Sequence, residues 1–581
     1  DDDDDDDDYD YDDDQDADGR RTSSTPRRKS KKSAAESLEE EELAQLASNF
    51  RKDFGAYEIG SHEIETFEMI GRGGYAVVYR GRCRGEEVAV KILQSKDLRD
   101  DTRREFMAEV KIMSTLYHPN IVLFMGACSE PGKLVMVTQY LRGGSLLQII
   151  ENKAVEITLL HALSMARDTC LGMNWLHSRN PSLLHLDLKP ANLLIDDHGR
   201  VKVADFGISV LVERGRGAQD SGRLRGSLPY MSPERLLQQP YDARVDVYSF
   251  AMTFWQMLAR DTPFSDLERL FEQMDSMSQF MVMFRRRVCD EHHRPPLGQV
   301  PPLVHDVLRA CWAPQAADRP GFSHLIGDID SLVLKATIDD PSGRKFWRRQ
   351  FLSKGKFQTE VEWRRFVSRF GRYFDSEMIR DERVLKCLRV LLSRPGARML
   401  GQSQTADLVS MEKFGHFLNW FGPIGGAGGG DAVLHRVLEL AMYTPQRNTA
   451  SLKVSVDKGT RRHAFHGDIS STEAEELLAG QPKGTFLLRC SVRSPTHPFV
   501  VSKVNRQGAT NHQRIAFDRD SMMFSLDILY DTGAQRVSSS SGDSVSSFLE
   551  HVKGDLYLRH ACPGSKFASI FVDQMNQGYV Q

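Results

Sequence analysis

The sequence predicts an α+β chain of several domains, and three stretches carry that expectation. First, Ile70-Gly71-Arg72-Gly73-Gly74-Tyr75-Ala76-Val77-Val78 reads as strand, glycine-rich turn, strand, and Val88-Ala89-Val90-Lys91 lies on the next strand. Second, an apolar-periodic helix (Ala162 to His177) leads into His185-Leu186-Asp187-Leu188-Lys189-Pro190-Ala191-Asn192-Leu193-Leu194; a strand-like run, Arg200 to Ala204, and Asp205-Phe206-Gly207 follow. Third, an amphipathic helix (Thr472 to Ala479) precedes the strand Gly484-Thr485-Phe486-Leu487-Leu488-Arg489-Cys490-Ser491. A length of 581 residues allows about two to four domains. The chain is 40% hydrophobic and 27% charged, ordinary for a soluble globular protein.

The first two stretches share a chemistry. Glycines let the backbone close over phosphates with no Cβ in the way, and Ala76 stands where a third glycine would complete the pattern. Lys91 is placed to hold nucleotide phosphates. Its carboxylate partner belongs on the next helix, where Phe106-Met107-Ala108-Glu109-Val110 offers Glu109, with Glu105 one turn earlier as the alternative. Phosphoryl transfer needs a carboxylate to orient the attacking hydroxyl and take its proton, and hard oxygen ligands for metal ions on the nucleotide. Asp187 fits the first role; Asn192 and Asp205 fit the second.

On these motifs, with Val122-Leu123-Phe124-Met125-Gly126-Ala127, Asp246-Val247-Tyr248-Ser249-Phe250, Cys311-Trp312 and Arg319-Pro320, residues 62–335 resemble a protein kinase of the tyrosine-kinase-like group. The resemblance implies a bilobal fold with Lys91, Glu109, Asp187, Asn192 and Asp205 as its catalytic set. It also implies that Val78, Ala89 and Leu194 sandwich the adenine, that Thr138 backs the pocket and that Gln139 to Leu141 form its hinge; each could equally be plain core. Lys189 looks like the serine/threonine-kinase signature, and its ammonium can reach the transferred phosphate. Ser227 would hydrogen-bond Asp187 and Lys189, Glu234 would pair with Arg319, and Asp246 would anchor the catalytic-loop backbone. One departure stands out: Leu186 replaces the arginine expected before the catalytic Asp. The activation segment carries its own Arg214, Arg216, Arg223 and Arg225, with Ser209, Ser221 and Ser227 as hydroxyls.

The flanks differ. Residues 1–18 hold fourteen Asp and no Lys or Arg; taking those out of the net −4 leaves +10 for the remainder. Residues 1–35 should be disordered, because an Asp run repels itself and buries nothing. A basic cluster (Arg20-Arg21, Arg27 to Lys32) follows, and Ala34 to Phe50 reads as a short helix, giving a tail over 1–50. Acidic and basic blocks could pair within the chain or bind outside partners, and Tyr9 and Tyr11 lie embedded in Asp.

Residues 340–445 read as helical, with aromatics at helical spacing that suit a core. Phe414 to Pro423 looks like the EF-hand-like connector that precedes the SH2 domain in slime-mould SH2 kinases and STAT proteins. Asp407 and Glu412 are the only carboxylates from Thr405 to Glu412, too few for calcium. Gly425 to Gly430 reads as a flexible insertion, and 446–462 as a linker. Residues 463–560 resemble an SH2 domain, a central antiparallel sheet flanked by two helices, with 561–581 as a tail. A charged Arg489 alternating inward among apolar neighbours asks for an anion, and its planar fork suits phosphate. The resemblance adds Ser491, Arg493 and Ser494 as a phosphate loop and His512 and Arg514 on the strand opposite. Ser538 to Ser547 reads as a loop before the last helix, Val545 to His551.

The expectation is an ATP- and Mg2+-dependent kinase, with Mn2+ as an alternative metal, acting on Ser/Thr of proteins, with Tyr left open. Tyrosine-phosphorylated partners would recruit it through the SH2 domain. The rival is an SH2 adaptor with weak kinase activity and STAT-like docking. No nucleic-acid partner is expected. Eight sparse cysteines without zinc spacing suggest reduced thiols and a cytoplasmic location. No apolar run of about 18 residues suggests a transmembrane helix, so membrane contact would be peripheral. The chain begins with Asp1 and not Met, so an upstream targeting or lipidation signal stays open.

Overall fold

A computed structural model describes residues 55–73, 76–93, 100–130, 134–213, 217–219, 224–271, 276–353, 356–395, 407–425, 429–445, 463–492, 494, 496–518, 521–530, 533–540 and 544–575. The acidic and basic tail with its short helix, Gly74, Tyr75, Arg214, Arg216, Ser221, Arg223, Arg493 and the 446–462 linker lie outside these residues.

The described residues form two compact units, one drawn from within 1–104 and 124–140, the other from within 105–123 and 141–581. The first is a five-stranded sheet: β1 (Ile64–Arg72), β2 (Ala76–Cys83), β3 (Glu86–Leu93), β4 (Phe124–Cys128) and β5 (Val135–Gln139), ordered β1-β2-β3-β5-β4. Val88, Val90, Cys83, Cys128, Val135 and Val137 form its buried face with Ile59. Alternation along β3 buries Val88 and Val90 and leaves Ala89 and Lys91 half-buried on the other face. Lys91 registers with Val78 on β2, and Ala89 with Thr138 on β5.

The second unit opens with Phe106, Val110 and Met113, buried on the helix Asp100–Met113. Its kinase portion centres on two helices, Leu159–His177 and Arg244–Ala259, the latter buried over almost its whole length. Short antiparallel pairs frame the catalytic loop: β6 (Ser182–Leu184) with β9 (Val210–Val212), and β7 (Leu193–Ile195) with β8 (Val201–Val203). The helix Phe322–Thr337 closes this portion.

The connector is more than helical. Besides a small hairpin, β10 (Leu352–Ser353) and β11 (Lys356–Phe357), it holds β12 (Glu360–Glu362), β13 (Ser393–Pro395) and β14 (Asp407–Ser410), ordered β12-β14-β13. Helical periodicity in the flanking segments hides such short strands. Asp407 lies on β14, where its carboxylate accepts from Arg389 Nε. The glycine run is shorter as a loop than expected: Gly429 and Gly430 open the helix Gly429–Met442, and a Cβ at Gly430 would crowd Phe374.

The C-terminal sheet runs β15 (Phe465–Gly467), β16 (Thr485–Cys490), β17 (Phe499–Val504), β18 (Thr510–Asp518), β19 (Met523–Tyr530) and β20 (Gly533–Ser538), with helices Ser471–Leu478 and Val545–Val552. It is not purely antiparallel, since β15 and β21 (His560–Ala561) both pair parallel to β16. The expected boundary at 560/561 therefore falls inside a strand, and buried Phe567 extends the core further. The expected loop Ser538 to Ser547 begins on β20 and ends at Ser544, which caps the last helix by accepting from Ser547 N–H. One apolar core runs from Leu334 and Ile338 through Phe346, Phe414 and Phe421 to Phe465, Phe499 and Phe567. All eight cysteines are buried free thiols. No helix among the described residues is long and apolar enough to cross a membrane.

Candidate active site

The catalytic loop hangs from one buried carboxylate. Asp246, fully buried, accepts from His185 N–H (2.9 Å), Leu186 N–H (2.8 Å) and His177 Nε2 (2.8 Å). Burial alone would push its carboxyl up; the His177 hydrogen bond, the nearby histidines and the His185 amide outweigh it and hold it below the usual carboxylate range. These bonds hold the turn at Leu186, whose φ of 66° is left-handed.

Asp187 is bonded on both oxygens. Oδ2 accepts from Lys189 Nζ at 2.7 Å and Asn192 Nδ2 at 3.1 Å, and Oδ1 from Ser227 N–H at 3.0 Å. Lys189 Nζ also donates to Ser227 Oγ at 2.7 Å. Asn192 Nδ2 further donates to the Asp187 carbonyl at 2.8 Å, so its amide oxygen is the atom it offers a metal. The β7–β8 hairpin brings Asp205 back to this loop through Ala204 N–H on the Asn192 carbonyl, and Asp205 takes a left-handed φ of 63°. Oxygen donors from an amide and a carboxylate suit a hard divalent cation.

The structure separates the two candidate glutamates. Glu109 is 6% exposed, and a Cβ at Gly207 would touch its Oε2, so it faces the Asp-Phe-Gly turn. Glu105 pairs instead with Arg225 of the activation segment at 2.7 Å. Arg319 holds Glu234 through both nitrogens at 2.7 and 3.0 Å. In the first unit, Gly73 N–H closes the glycine-rich turn on the Ala76 carbonyl at 2.8 Å. Ile70, Arg72 and Gly73 are exposed, and Gly71 and Val78 half-buried. Leu194 is half-buried on β7 of the second unit.

A second cluster lies on the C-terminal sheet. Arg489, Val500 and Arg514 sit directly opposite one another across β16, β17 and β18, and Leu487, Ser502 and His512 form the adjacent row. Arg489 Nε donates to Ser502 Oγ at 3.3 Å and Nη1 to the Ile469 carbonyl at 3.4 Å. Burial, then the nearby Arg514, depress the Arg489 guanidinium's pKa, partly opposed by Cys490 and Glu475. His512 bonds Ser502 Oγ at 2.8 Å and Glu475 Oε1 at 3.0 Å. Ser494 turns its hydroxyl to Thr496 and His497. Ser491 is half-buried, and its N–H bonds the Pro498 carbonyl at 2.8 Å. Sequence reasoning missed Ser502, which joins Arg489 to His512; strand register with His512 was the signal that could have found it.

The catalytic-loop geometry is that of a protein kinase, and the C-terminal sheet sets two arginines side by side. Residues 64–328 match the protein kinase domain family and residues 465–535 the SH2 domain family. The chain is similar to the dual specificity protein kinase shkC of Dictyostelium discoideum, 34% identical over 528 residues, 89% of this chain and 95% of shkC. It is also similar to the dual specificity protein kinase shkA of that organism, 31% identical over 559 residues, covering 92% of this chain and 95% of shkA. Over the kinase region it is 36% identical to the probable serine/threonine-protein kinase SIS8 of Arabidopsis thaliana, over 49% of this chain and 26% of SIS8. The chain belongs to the family of SH2-domain-containing protein kinases that shkC and shkA represent. It is a kinase of protein substrates that uses ATP and a divalent metal, and its SH2 domain implies phosphotyrosine-containing partners.

Proposed function

We propose that this chain is a cytoplasmic dual-specificity kinase, favouring Ser and Thr, brought to its substrates by phosphotyrosine. One observation carries the catalytic part: Asp187, Lys189, Asn192 and Ser227 form one hydrogen-bonded constellation. Asp187 takes the proton from the attacking hydroxyl, and Lys189 holds the transferred phosphoryl group. Asn192 and Asp205 would hold Mg2+, which supplies charge neutralisation on the phosphates. Lys91 and the turn Ile70 to Ala76 bind the α- and β-phosphates. Val78, Ala89 and Thr138, on neighbouring strands of the first unit, contact the adenine. The Lys189–Ser227 bond supports the Ser/Thr preference, and the names of shkC and shkA support the wider specificity.

Arg489, Ser491, Ser494, His512 and Arg514, with Arg493 outside the described residues, form the phosphotyrosine pocket. Two neighbouring arginines on one sheet face support that reading, because an anion would relieve the half-buried Arg489 guanidinium. The test is radiolabel transfer from ATP to mixed protein substrates, followed by phosphoamino-acid analysis. Wild type should label Ser and Thr above Tyr, and Asp187→Asn should label none. Equal labelling by Asp187→Asn would reject the assignment and favour an adaptor.

A further inference from the structure

The helix Met411–Phe421 reaches the phosphate loop from behind. Trp420 is 5% exposed, with its ring in the shared core, and its Nε1–H donates to the Ser491 carbonyl at 2.9 Å. Ser491 is the first residue after β16, and its own N–H closes the loop's neck on Pro498. Both backbone polar groups of Ser491 are therefore engaged. In a planar trans peptide the carbonyl and the following N–H point opposite ways. Holding the Ser491 carbonyl toward Trp420 thus sends the Val492 N–H to the far side of the loop, where Val492 is 44% exposed. Oriented backbone N–H groups in a turn make an anion-binding concavity. Two turns earlier on the same helix, Lys413 lies 4.0 Å from Asp468, whose neighbour Ile469 holds Arg489 through its carbonyl. The connector thus touches the loop and the segment behind Arg489.

We propose that Trp420, a connector residue outside the SH2 domain match, is a positioning residue for the phosphate loop: its indole N–H sets the Ser491–Val492 peptide so that the Val492 amide faces the phosphate. Its value for binding rests on the phosphotyrosine reading of the Arg489 pocket. A phenylalanine would fill most of the ring's space; only the N–H can hold the carbonyl.

The test uses the full chain, with phenyl phosphate as the probe. Trp420→Phe should weaken phenyl phosphate by about three- to tenfold, the loss of one neutral hydrogen bond. Without ligand, amide hydrogen exchange over 491–498 should also speed up relative to wild type, while the melting temperature stays near wild type. Unchanged affinity together with unchanged loop exchange overturns the proposal. If Trp420→Phe melts early, Trp420→3-benzothienylalanine, which keeps the ring shape and lacks the N–H, replaces it and is read by the same two criteria. Arg489→Ala is the separate control. If it binds phenyl phosphate as well as wild type does, the pocket reading fails, and loop exchange alone decides whether Trp420 sets the peptide.

Discussion

The catalytic loop and the Arg489 cluster hold charge in opposite ways. Asp187 is answered within the chain, by Lys189, Asn192 and the Ser227 amide. On the SH2 sheet, Arg489 and Arg514 flank Val500, and the neighbouring carboxylate, Glu475, is bonded to His512. The first arrangement is complete before substrate arrives, as electrostatic preorganisation requires. The second holds a half-buried guanidinium whose pKa is depressed by burial and by Arg514.

The largest effect should come from breaking the catalytic side. Lys91→Met should fold normally and lower turnover by on the order of 10²-fold or more, since electrostatics carry most of phosphoryl transfer. Steady-state peptide phosphorylation checks it, and near-normal turnover in a folded variant would reject the role. Breaking the Arg489 side should spare catalysis. Arg489→Ala should cost at least about 30-fold in phosphotyrosine-peptide affinity, with activity on a soluble peptide retained. Parallel loss of both would show that the two sites are not independent.

Acid should sharpen the contrast. His466, 2% exposed on β15, is pushed down to about 4 by burial and the Lys566 charge, against the Cys562 carbonyl it bonds. Its folded pKa lies below the unfolded value of 6.5, so the unfolded chain binds the proton first as pH falls. Stability is then full above about pH 6.5 and declines toward pH 4, by about 3 kcal/mol in all. Asp246 has its carboxyl held low, so the catalytic-loop anchor lasts until pH falls through a value below the usual carboxylate range. Melting curves between pH 7 and 4 should show the SH2 region weakening first, with a flatter slope in His466→Phe. Identical slopes would remove His466 as the cause.

Legibility followed how local each signal was. The catalytic loop was readable because Asp187, Lys189 and Asn192 sit within six residues of one another, in a short run that resembles a kinase motif. The pairing of Glu105, the alternative to Glu109, was not, because its partner Arg225 reaches back from the activation segment. Arg489 was readable from strand alternation. Ser502 was not, because it lies thirteen residues on and matters only through register. The connector's strands were lost among stronger helical patterns, and the link from Trp420 to Ser491 spans 71 residues.

A smaller loss is expected at Ser227, whose hydroxyl accepts from Lys189 while its amide holds Asp187. Ser227→Ala keeps the amide bond and loses one bond to a charged group, so turnover should fall by about tenfold. A change under twofold would show that the amide alone sets the geometry.

The smallest effect should come from removing phosphate from the activation segment. An arginine before the catalytic Asp would leave a cation that a loop phosphate could neutralise, ordering the segment. Leu186 is instead 5% exposed in an apolar cluster with Leu184, Val212, Tyr241 and Val245, which joins the catalytic loop to β9. Arg235, 2% exposed, ties the Leu186 carbonyl to the Arg225 carbonyl, both at 2.8 Å. Arg225 itself is paired with Glu105. The described part of the segment is thus held by burial, carbonyls and a carboxylate. Phosphatase-treated protein, assayed with re-phosphorylation blocked, should keep activity within about threefold of untreated protein, and Ser221→Ala should match it. A tenfold loss on treatment, reproduced by Ser221→Ala, would show that the apolar cluster does not substitute for phosphate. Leu186→Arg separates the alternatives further: it puts a cation into a buried apolar site, so it should lower activity in treated protein and make the enzyme phosphate-dependent.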